Sequence, residues 1–328
     1  MQSQARVLVP LHIEGPPPPL GQPLYALQGE TMGTSWSLRL HAPAGLQLNA
    51  IERAVQVVLD EVIGEMSQWE SDSLLSLFNR MPAGGSAALP RGFARVVDAA
   101  LQIARASEGA FDPTALELVR SWGFGPPGAA VASRCDWRRL EWDGSKLTQP
   151  GDARLDLSAI AKGHAVDRVS ETLAGIGITH HLVEIGGELR GAGLKPQGQP
   201  WWVDLEPPCA DCGLMPLRIA LHGLCIATSG DYRRFRLDDD GRRRSHTVDP
   251  RSGVPIAHGL ASVSVVHESA MWADGWSTAL MVMGLADGLA FAKARGLAAR
   301  FVQRENEGSG DGEGFSEQLS PALTELLT

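Results

Sequence analysis

The sequence predicts an α+β fold with mixed or antiparallel sheets and packed helices. Strand-like and helical segments follow one another without the regular strand–helix–strand alternation of a doubly wound parallel sheet. Residues 34–40, TSWSLRL, alternate apolar and polar side chains, as a half-buried strand does. Residues 48–67 repeat apolar side chains at helical spacing, with Asn49 as the expected N-cap. Both kinds of element are therefore present near the start of the chain.

The remaining elements follow from the same two periodicities. A helix is predicted at 93–107, where Gly109 stops it, and a hairpin at 137–149, around the turn dipeptide Asp143-Gly144. A third long helix is predicted at 159–175. Further strands are predicted at 181–185, 201–206, 215–221, 224–228 and 260–266, and further helices after Asp274 and at 286–295.

Composition and charge exclude some classes of partner. The chain has 328 residues, of which 44% are hydrophobic and 20% are charged, as in an ordinary globular protein. Its formal net charge of -9 disfavours binding to nucleic acid or to an anionic membrane surface, because both carry negative charge. No segment reaches the roughly 20 apolar residues of a membrane span. We therefore expect no nucleic-acid partner and no intrinsic membrane span.

The chain ends and the cysteines complete the predicted organisation. Residues 1–23 are predicted to be a flexible Pro-rich arm, residues 24–328 a single catalytic domain, and the acidic, Gly-rich residues 305–315 a mobile loop. The N-terminus has no apolar core or small-residue cleavage site of a signal peptide, which favours a cytoplasmic location. Cys209 and Cys212 have the spacing of a redox or zinc pair, but no second pair completes a zinc site. Two reduced loop cysteines are therefore the preferred interpretation.

Short segments rich in Gly, Asp, Ser and Thr carry the functional signal. They are MGTSW (32–36), MSQWESDSLLSLFNR (66–80), GAFDPT (109–114), LDLSAIAKG (155–163), IGGELRGAG (185–193), IATSGDY (226–232), HTVDPRSG (246–253) and ADGWSTAL (273–280). In this order and spacing, over about residues 30–290, they resemble the ApbE family of FAD:protein FMN transferases. The resemblance implies an ApbE-like (T-fold-like) single catalytic unit with FAD as donor substrate and Mg²⁺ as cofactor.

The resemblance also implies a reaction and a partner. FMN would pass from FAD to a Thr or Ser hydroxyl of an acceptor protein, forming a phosphoester bond and releasing AMP. Two alternatives stay open: an FAD pyrophosphatase, in which water replaces the acceptor, and a non-catalytic FAD-binding protein. Many members of the family are exported lipoproteins, whereas this sequence shows no lipid-bearing Cys near its start, so a periplasmic or membrane-associated location is less expected. Glu184 and Glu188 stand where the family pattern has Asn and Asp.

A metal site is predicted around Asp274. Mg²⁺ prefers oxygen ligands, and Asp274 and Thr278, four residues apart, share one face of a helix. By resemblance, the backbone carbonyl of Ala159 adds a third oxygen. Taken alone, the segment favours a helix that Asp274 caps, with Thr278 as packing, and it is the resemblance that shifts the prediction to a metal site. Whether Ser277 contributes to the metal site is left open.

The resemblance assigns a set of residues to FAD, each of which has a structural alternative. Trp69 is expected to stack on the flavin ring, although a plain core tryptophan fits as well. Asp156 and Lys162 also suit a helix cap and a solvated cation. The complete set of expected FAD contacts is Met32, Trp69, Ala110, Phe111, Asp112, Asp156, Lys162 and Val248.

His246 is the expected general base. An acceptor hydroxyl must lose its proton as it attacks phosphorus, and histidine is suited to accept it near neutral pH. The resemblance points the same way, whereas a surface histidine is the alternative from the residues alone. Asp249 either orients His246 or starts the Asp-Pro turn. Asp231 and Tyr232 are expected to build the pocket wall.

Overall fold

The computed structural model describes residues 6–10, 12–127, 134–209, 212–232, 235–238, 241, 243–305 and 314–327. The helices are α1 (Leu48–Met66), α2 (Leu74–Asn79), α3 (Arg91–Ala106), α4 (Leu116–Ser121), α5 (Ala161–Gly175), α6 (Ala270–Met283), α7 (Leu285–Arg295) and α8 (Pro321–Thr324). The strands are β1 (Arg6–Leu8), β2 (Leu24–Thr31), β3 (Thr34–His41), β4 (Ser86–Ala88), β5 (Glu141–Trp142), β6 (Lys146–Thr148), β7 (His181–Ile185), β8 (Glu188–Ala192), β9 (Trp201–Asp204), β10 (Leu217–Leu221), β11 (Leu224–Gly230), β12 (Phe235–Leu237), β13 (Arg243–Ser245), β14 (Val248–Asp249), β15 (Val254–Pro255), β16 (Leu260–His267), β17 (Ala298–Glu305) and β18 (Gly314–Leu319).

An eight-stranded antiparallel sheet forms the centre of the protein. Its strand order is β18-β17-β16-β11-β8-β7-β3-β2. Strand β16 reads LASVSVVH and is buried along almost its whole length, as expected for a strand covered on both faces. The sheet provides the rigid layer against which the helices of the functional site pack, and the α+β prediction is confirmed.

Two helices, α5 and α6, pack against this sheet and against each other. Helix α6 contacts β11 and β16, and α5 contacts β7, β8 and α1. Helix α6 is apolar nearly all round, which suits a helix enclosed between a sheet and other helices. Burial of its side chains fixes the backbone that carries Asp274 and Thr278.

Most of the predicted elements are present, with shifted boundaries. The 159–175 prediction corresponds to α5, and the 137–149 prediction to the β5–β6 hairpin. Asn49 is wrong as a cap, because α1 begins one residue earlier and Gln47 occupies the N-cap position without a side-chain hydrogen bond. The helix predicted after Asp274 begins four residues before it, at Ala270.

The segment predicted as a flexible arm contributes a strand. Strand β1 pairs in parallel with β10, and Leu8 is completely buried. Val9 N also donates to Leu326 O, which joins the two ends of the chain. Leu8 packs into a second apolar cluster with β9, β10 and α8, so β1 is anchored to the rest of the fold. The flexibility of the arm as a whole stays a prediction. The division at residue 24 itself stays a prediction.

Some predictions concern residues outside the described ranges. The Gly-rich loop at 305–315 falls mostly on undescribed residues, as do positions 210 and 211 of the Cys-Ala-Asp-Cys segment. Among the residues that the structure describes, neither Cys209 nor Cys212 forms a disulfide bond. Within the described ranges, each helix is too short or too polar to span a lipid bilayer.

Candidate active site

All the residues predicted to bind FAD or metal, together with the predicted base, line one cavity, whereas Asp231, predicted on its wall, does not. Its volume is about 1450 Å³, large enough for a dinucleotide. Its wall comes from the β2–β3 turn, the ends of α1 and α5, the outer face of α6 and the loops around α4 and β14. The predicted residues on this wall are Met32, Trp69, Ala110, Phe111, Asp112, Asp156, Ala159, Lys162, His246, Val248, Asp274 and Thr278.

At one end of the cavity, α5 and α6 cap each other. The first turn of a helix leaves backbone N–H groups without partners inside the helix. Asp274 of α6 accepts a hydrogen bond from Gly163 N in the first turn of α5, at 3.0 Å. Asp167 of α5 accepts from Ala270 N and Met271 N in the first turn of α6, each at 3.0 Å. Each helix therefore places a carboxylate at the positive end of the other.

The same junction requires glycine at position 163. A Cβ atom there would lie 2.2 Å from Ala270 O, so any larger residue would force the two helices apart. Asp167 also accepts from Ser269 Oγ at 2.6 Å and from Arg190 Nη1 at 2.8 Å. The carboxylate is thus held by charged and neutral donors together, and α6 cannot slide along α5 without breaking them.

The role of Asp274 differs from that of a cap on its own helix. Ser269 is the N-cap of α6, and its side chain accepts from Trp272 N. Asp274 lies in the second turn, 4% exposed, and faces the cavity together with Thr278. Desolvation by burial raises the pKa of Asp274, while the positive charge of Lys162 and the Gly163 hydrogen bond lower it. The cap alternative for this residue is therefore excluded.

Two serines connect α6 to the sheet behind it. Ser229 Oγ, on β11, lies 2.8 Å from Ser277 Oγ and 2.9 Å from Thr278 Oγ1. Ser277 is fully buried, and its hydroxyl also donates to Asp274 O at 2.9 Å. The hydroxyl of Ser277 is thus engaged in packing the helix, whereas Ser229 lines the cavity beside Thr278. Ser229 belongs to the IATSGDY segment, but nothing in the local sequence distinguishes it from other strand serines and predicts a role for it.

Lys162 pairs with a carboxylate that the resemblance did not assign to the site. Its Nζ lies 2.5 Å from Oε1 of Glu188, the first residue of β8. Glu188 is 2% exposed and lines the same cavity as Asp274. Glu184, the other departure from the family pattern, accepts from Gly187 N at 2.9 Å and so closes the turn that leads into β8.

The β2–β3 turn presents Met32 to the cavity. Met32 and Gly33 have φ values of 49° and 70°, as the two central residues of a type I′ hairpin turn require. A methionine in this left-handed region costs conformational energy, and such residues concentrate at functional sites. The turn therefore holds the Met32 side chain and backbone at a fixed place on the cavity wall.

Trp69 lies on an exposed part of the cavity wall that is formed by loops, which we call the open end. Its side chain is 57% exposed, so the core alternative is excluded. Its backbone N–H donates to Ser67 Oγ, which fixes the loop after α1. An exposed indole on a cavity wall offers a flat face to a planar ligand.

Asp112 and Asp156 are held by local backbone turns. Asp112 accepts from Thr114 N at 2.8 Å and from Trp137 N at 3.1 Å, while Asp156 accepts from Ser158 N at 2.9 Å. Burial raises the pKa of both carboxyls. Asp156 therefore is not the N-cap of α5, which begins at Ala161.

His246 is half-buried on the loop between β13 and β14 and lines the cavity within this loop-built part of the wall. Its ring lies edge-on to Phe124, with ring centroids 6.2 Å apart. Asp249 does not orient it in this structure, because both carboxylate oxygens bind the Arg251 guanidinium at 2.9 and 3.0 Å. Asp231 likewise pairs with Arg304 behind the wall, while Tyr232 lines the cavity.

The oxygen atoms at the closed end fit a hard divalent cation. They comprise the Asp274 carboxylate, the Thr278 and Ser229 hydroxyls and the backbone around Ala159, all on the cavity wall. Among the described residues no cluster of three or more His, Cys, Asp or Glu side chains suits a metal ion. An ion bound here would therefore depend on neutral oxygens as well as on Asp274, a set typical of magnesium rather than zinc.

Comparison with known proteins identifies the relatives of this chain. A model of the ApbE family matches residues 32–301. The chain is 36% identical to an FAD:protein FMN transferase of Vibrio cholerae serotype O1, covering 92% of both chains. It is 32% identical to one of Salmonella typhimurium, covering 92% of this chain and 89% of the relative. The flavinyl transferase ApbE of Pseudomonas stutzeri, solved in its apo form, superposes with a TM-score of 0.82 at 36% identity, covering 93% and 96% of the two chains.

Proposed function

The chain belongs to the ApbE family, and from this premise we propose that it transfers FMN from FAD to a hydroxyl group of an acceptor protein. The acceptor oxygen attacks the phosphorus next to the flavin. A new oxygen–phosphorus bond forms, the pyrophosphate bond breaks, and AMP leaves. The product is an acceptor protein that carries FMN through a phosphoester link on Thr or Ser.

His246 is the proposed general base of this step. It takes the proton that the acceptor hydroxyl loses as the new bond forms. Its position on the open end of the cavity supports this role, since an acceptor protein must approach from solvent. Phe124, against the edge of the imidazole, limits how far the ring can turn.

One orientation of FAD in the cavity is proposed. The isoalloxazine ring is proposed to stack on Trp69 at the open end, with Met32, Phe111 and Val248 around it. The pyrophosphate then lies toward Lys162 and the first turn of α5, where a cation and a helix N-terminus favour phosphate. Ala110, Asp112 and Asp156 complete the proposed FAD contacts.

Asp274, Thr278 and the carbonyl of Ala159 are the proposed ligands of Mg²⁺. A bound divalent ion would neutralise the pyrophosphate and stabilise the charge that develops on the leaving phosphate. The protein's own contribution is the fixed position of the two α6 side chains, held by Gly163 on one side and Ser229 on the other. The predicted cytoplasmic location stays a prediction.

The observation that carries the proposal is the convergence of the residues predicted to bind FAD or metal, and of the predicted base, on one cavity with a charged, buried end and an aromatic, open end. The test is to incubate the protein with FAD, Mg²⁺ and an acceptor protein that bears a Thr-containing segment such as Asp-Gly-X-Thr. Mass spectrometry follows addition of FMN to the acceptor, and chromatography follows AMP.

We expect equal amounts of labelled acceptor and AMP, both dependent on Mg²⁺. An acceptor in which the Thr is replaced by Val is the matched control and should stay unlabelled. Free FMN and AMP without labelling would identify a pyrophosphatase instead. Binding of FAD without any turnover would identify a non-catalytic flavin-binding protein.

A further inference from the structure

The closed end of the cavity contains two buried carboxylates and one ammonium group. Glu188 and Asp274 are 2% and 4% exposed, and both lie on the cavity wall with Lys162. Lys162 contacts Oε1 of Glu188, whereas Oε2 of Glu188 is buried without a hydrogen-bond partner among the described residues. An unpartnered carboxylate oxygen in a buried site is costly, which indicates that a ligand completes it.

The charges at this end do not balance. Burial raises the pKa of Glu188 to about 7; the positive charge of Lys162 opposes this shift, and the negative charge of Asp274 adds to it. With both carboxyls ionised, the three side chains carry one excess negative charge in a largely desolvated setting. A divalent cation would remove that excess and release Lys162 from its role as counter-ion.

We propose that Glu188 and Lys162 form an exchangeable charge pair, in which Lys162 neutralises the empty site and then turns to the pyrophosphate of FAD when a divalent cation binds. Glu188 supplies the second negative charge of the cation site, beside Asp274. The inference rests on the proposed function, because it takes Asp274 and Thr278 as the residues that hold the cation.

The exchange requires a Lys162 side chain that can move and a Glu188 side chain that is fixed. The Lys162 side chain is 31% exposed and long, so its ammonium group can move toward the open part of the cavity. Glu188 is 3% exposed at the side chain, and its backbone follows the Gly186-Gly187 turn that Glu184 closes. The Glu188 carboxylate therefore stays in place while a divalent metal ion replaces the Lys162 ammonium group beside it.

A permanent structural ion pair makes a different prediction. If Lys162 and Glu188 only held β8 against α5, removing either side chain would loosen the same contact. Both variants would then change cation affinity in the same direction. Exchange instead predicts opposite changes, because Glu188 attracts the cation and Lys162 competes with it.

The test is the affinity for Mn²⁺, a spectroscopic substitute for Mg²⁺, measured in the FAD-free protein from the electron paramagnetic resonance signal of the free ion. Glu188→Gln should weaken Mn²⁺ binding by about ten-fold or more, the usual range for a group supporting a metal ligand. Lys162→Met should tighten Mn²⁺ binding and weaken FAD binding, each by several-fold. Arg168→Met is the matched control: it removes a positive charge from the same helix, where Arg168 pairs with Glu61 outside the cavity, and should leave Mn²⁺ affinity unchanged.

The outcomes separate this inference from the function on which it rests. Weaker Mn²⁺ binding in both Lys162→Met and Glu188→Gln, or unchanged binding in Glu188→Gln, overturns the exchange. Unchanged Mn²⁺ binding in Asp274→Asn overturns the proposed metal site itself. Thermal unfolding of each variant checks folding, and Glu188→Asp, which keeps the charge, should retain Mn²⁺ affinity where Glu188→Gln loses it.

Discussion

The two ends of the cavity are built by different means. At the closed end, buried charges on α5, α6 and β8 are fixed by hydrogen bonds between elements distant in sequence, such as Asp274 with Gly163. At the open end, Trp69 and His246 lie on loops and face the cavity with their aromatic rings. The carboxylates of the closed end are thus prearranged before any ligand arrives, whereas the open end offers surfaces to a ligand and a protein partner.

This difference assigns the two ends separate tasks. Electrostatic stabilisation of a reacting phosphate needs groups that do not reorganise during the reaction, and the mutual capping of α5 and α6 provides them. Recognition of FAD and of an acceptor tolerates more freedom. Substitutions at the closed end should therefore abolish chemistry or loosen the fold, whereas substitutions at the open end should change binding or proton transfer and leave stability intact.

The largest expected effect is at Asp274. Asp274→Asn keeps an oxygen that can accept from Gly163 N but removes the charge, so we expect transfer to fall by about 10³-fold while the fold is retained. Single-turnover transfer at saturating FAD measures it. Ser277→Ala, on the same helix but turned away from the cavity, is the control and should lose only a few-fold. Full Mg²⁺-dependent transfer by Asp274→Asn would contradict the assignment of the chemistry to the closed end.

The next effect concerns the junction behind the closed end. Asp167→Ala leaves the buried Ala270 N and Met271 N without their acceptor and Arg190 without its carboxylate, so we expect a loss of about 3 kcal/mol in the free energy of unfolding. Urea denaturation measures this loss. Glu171→Ala, which removes an exposed ion pair with Arg95 from the same helix, should cost less than about 1 kcal/mol. Equal losses in the two variants would show that the junction adds no special stability.

At the open end, His246→Gln should slow transfer by about 10²-fold without weakening FAD binding. If the imidazole accepts the acceptor proton as proposed, the acidic limb of the pH–rate profile should vanish in the variant. Stopped-flow transfer rates across pH, with FAD affinity from flavin fluorescence, provide both readouts. An unchanged pH profile would remove His246 as the base.

The smallest effect is expected at Trp69. Trp69→Ala removes a stacking surface, which is worth about 1–2 kcal/mol, and should raise the dissociation constant of FAD by about ten-fold. Trp69→Phe should recover most of the affinity, and stability should not change because the side chain is largely exposed. Trp122→Ala, which removes another exposed tryptophan side chain that does not line the cavity, is the control. Calorimetric titration of FAD decides between them, and identical affinities for all three variants would exclude stacking.

Local periodicity was enough to predict most of the fold. Alternation in TSWSLRL gave β3, and helical spacing gave α1, α3 and α5, because these signals are properties of adjacent residues. The exact starts were harder, since capping of α6 involves Asp167 more than one hundred positions away from Ala270. The pairing of β1 with β10 was missed for the same reason: a Pro-rich neighbourhood says nothing about a distant strand edge.

The same limit applies to the site: features that depend on nearby residues could be predicted, whereas contacts between distant segments could not. Spacing placed Asp274 and Thr278 on one face of a helix, and the ordered motifs placed the FAD residues on one wall. Neither could reveal that Glu188 pairs with Lys162 or that Ser229 backs Thr278, because these contacts join a strand to a helix through the fold. Asp249 was predicted as a possible partner of His246, but the Asp249 carboxylate forms an ion pair with Arg251, which is nearer in the chain.

The position of the divalent ion relative to FAD tests the division of the cavity most directly. Crystals of the wild-type protein and of the Asp274→Asn variant, each grown with FAD and Mn²⁺, would locate the ion by anomalous scattering. We expect a peak beside the side-chain oxygens of Asp274 and Thr278, next to the pyrophosphate, with the flavin ring on Trp69 and no peak in the variant. A peak elsewhere, or a pyrophosphate at the Trp69 end, would contradict the assignment of chemistry to the closed end.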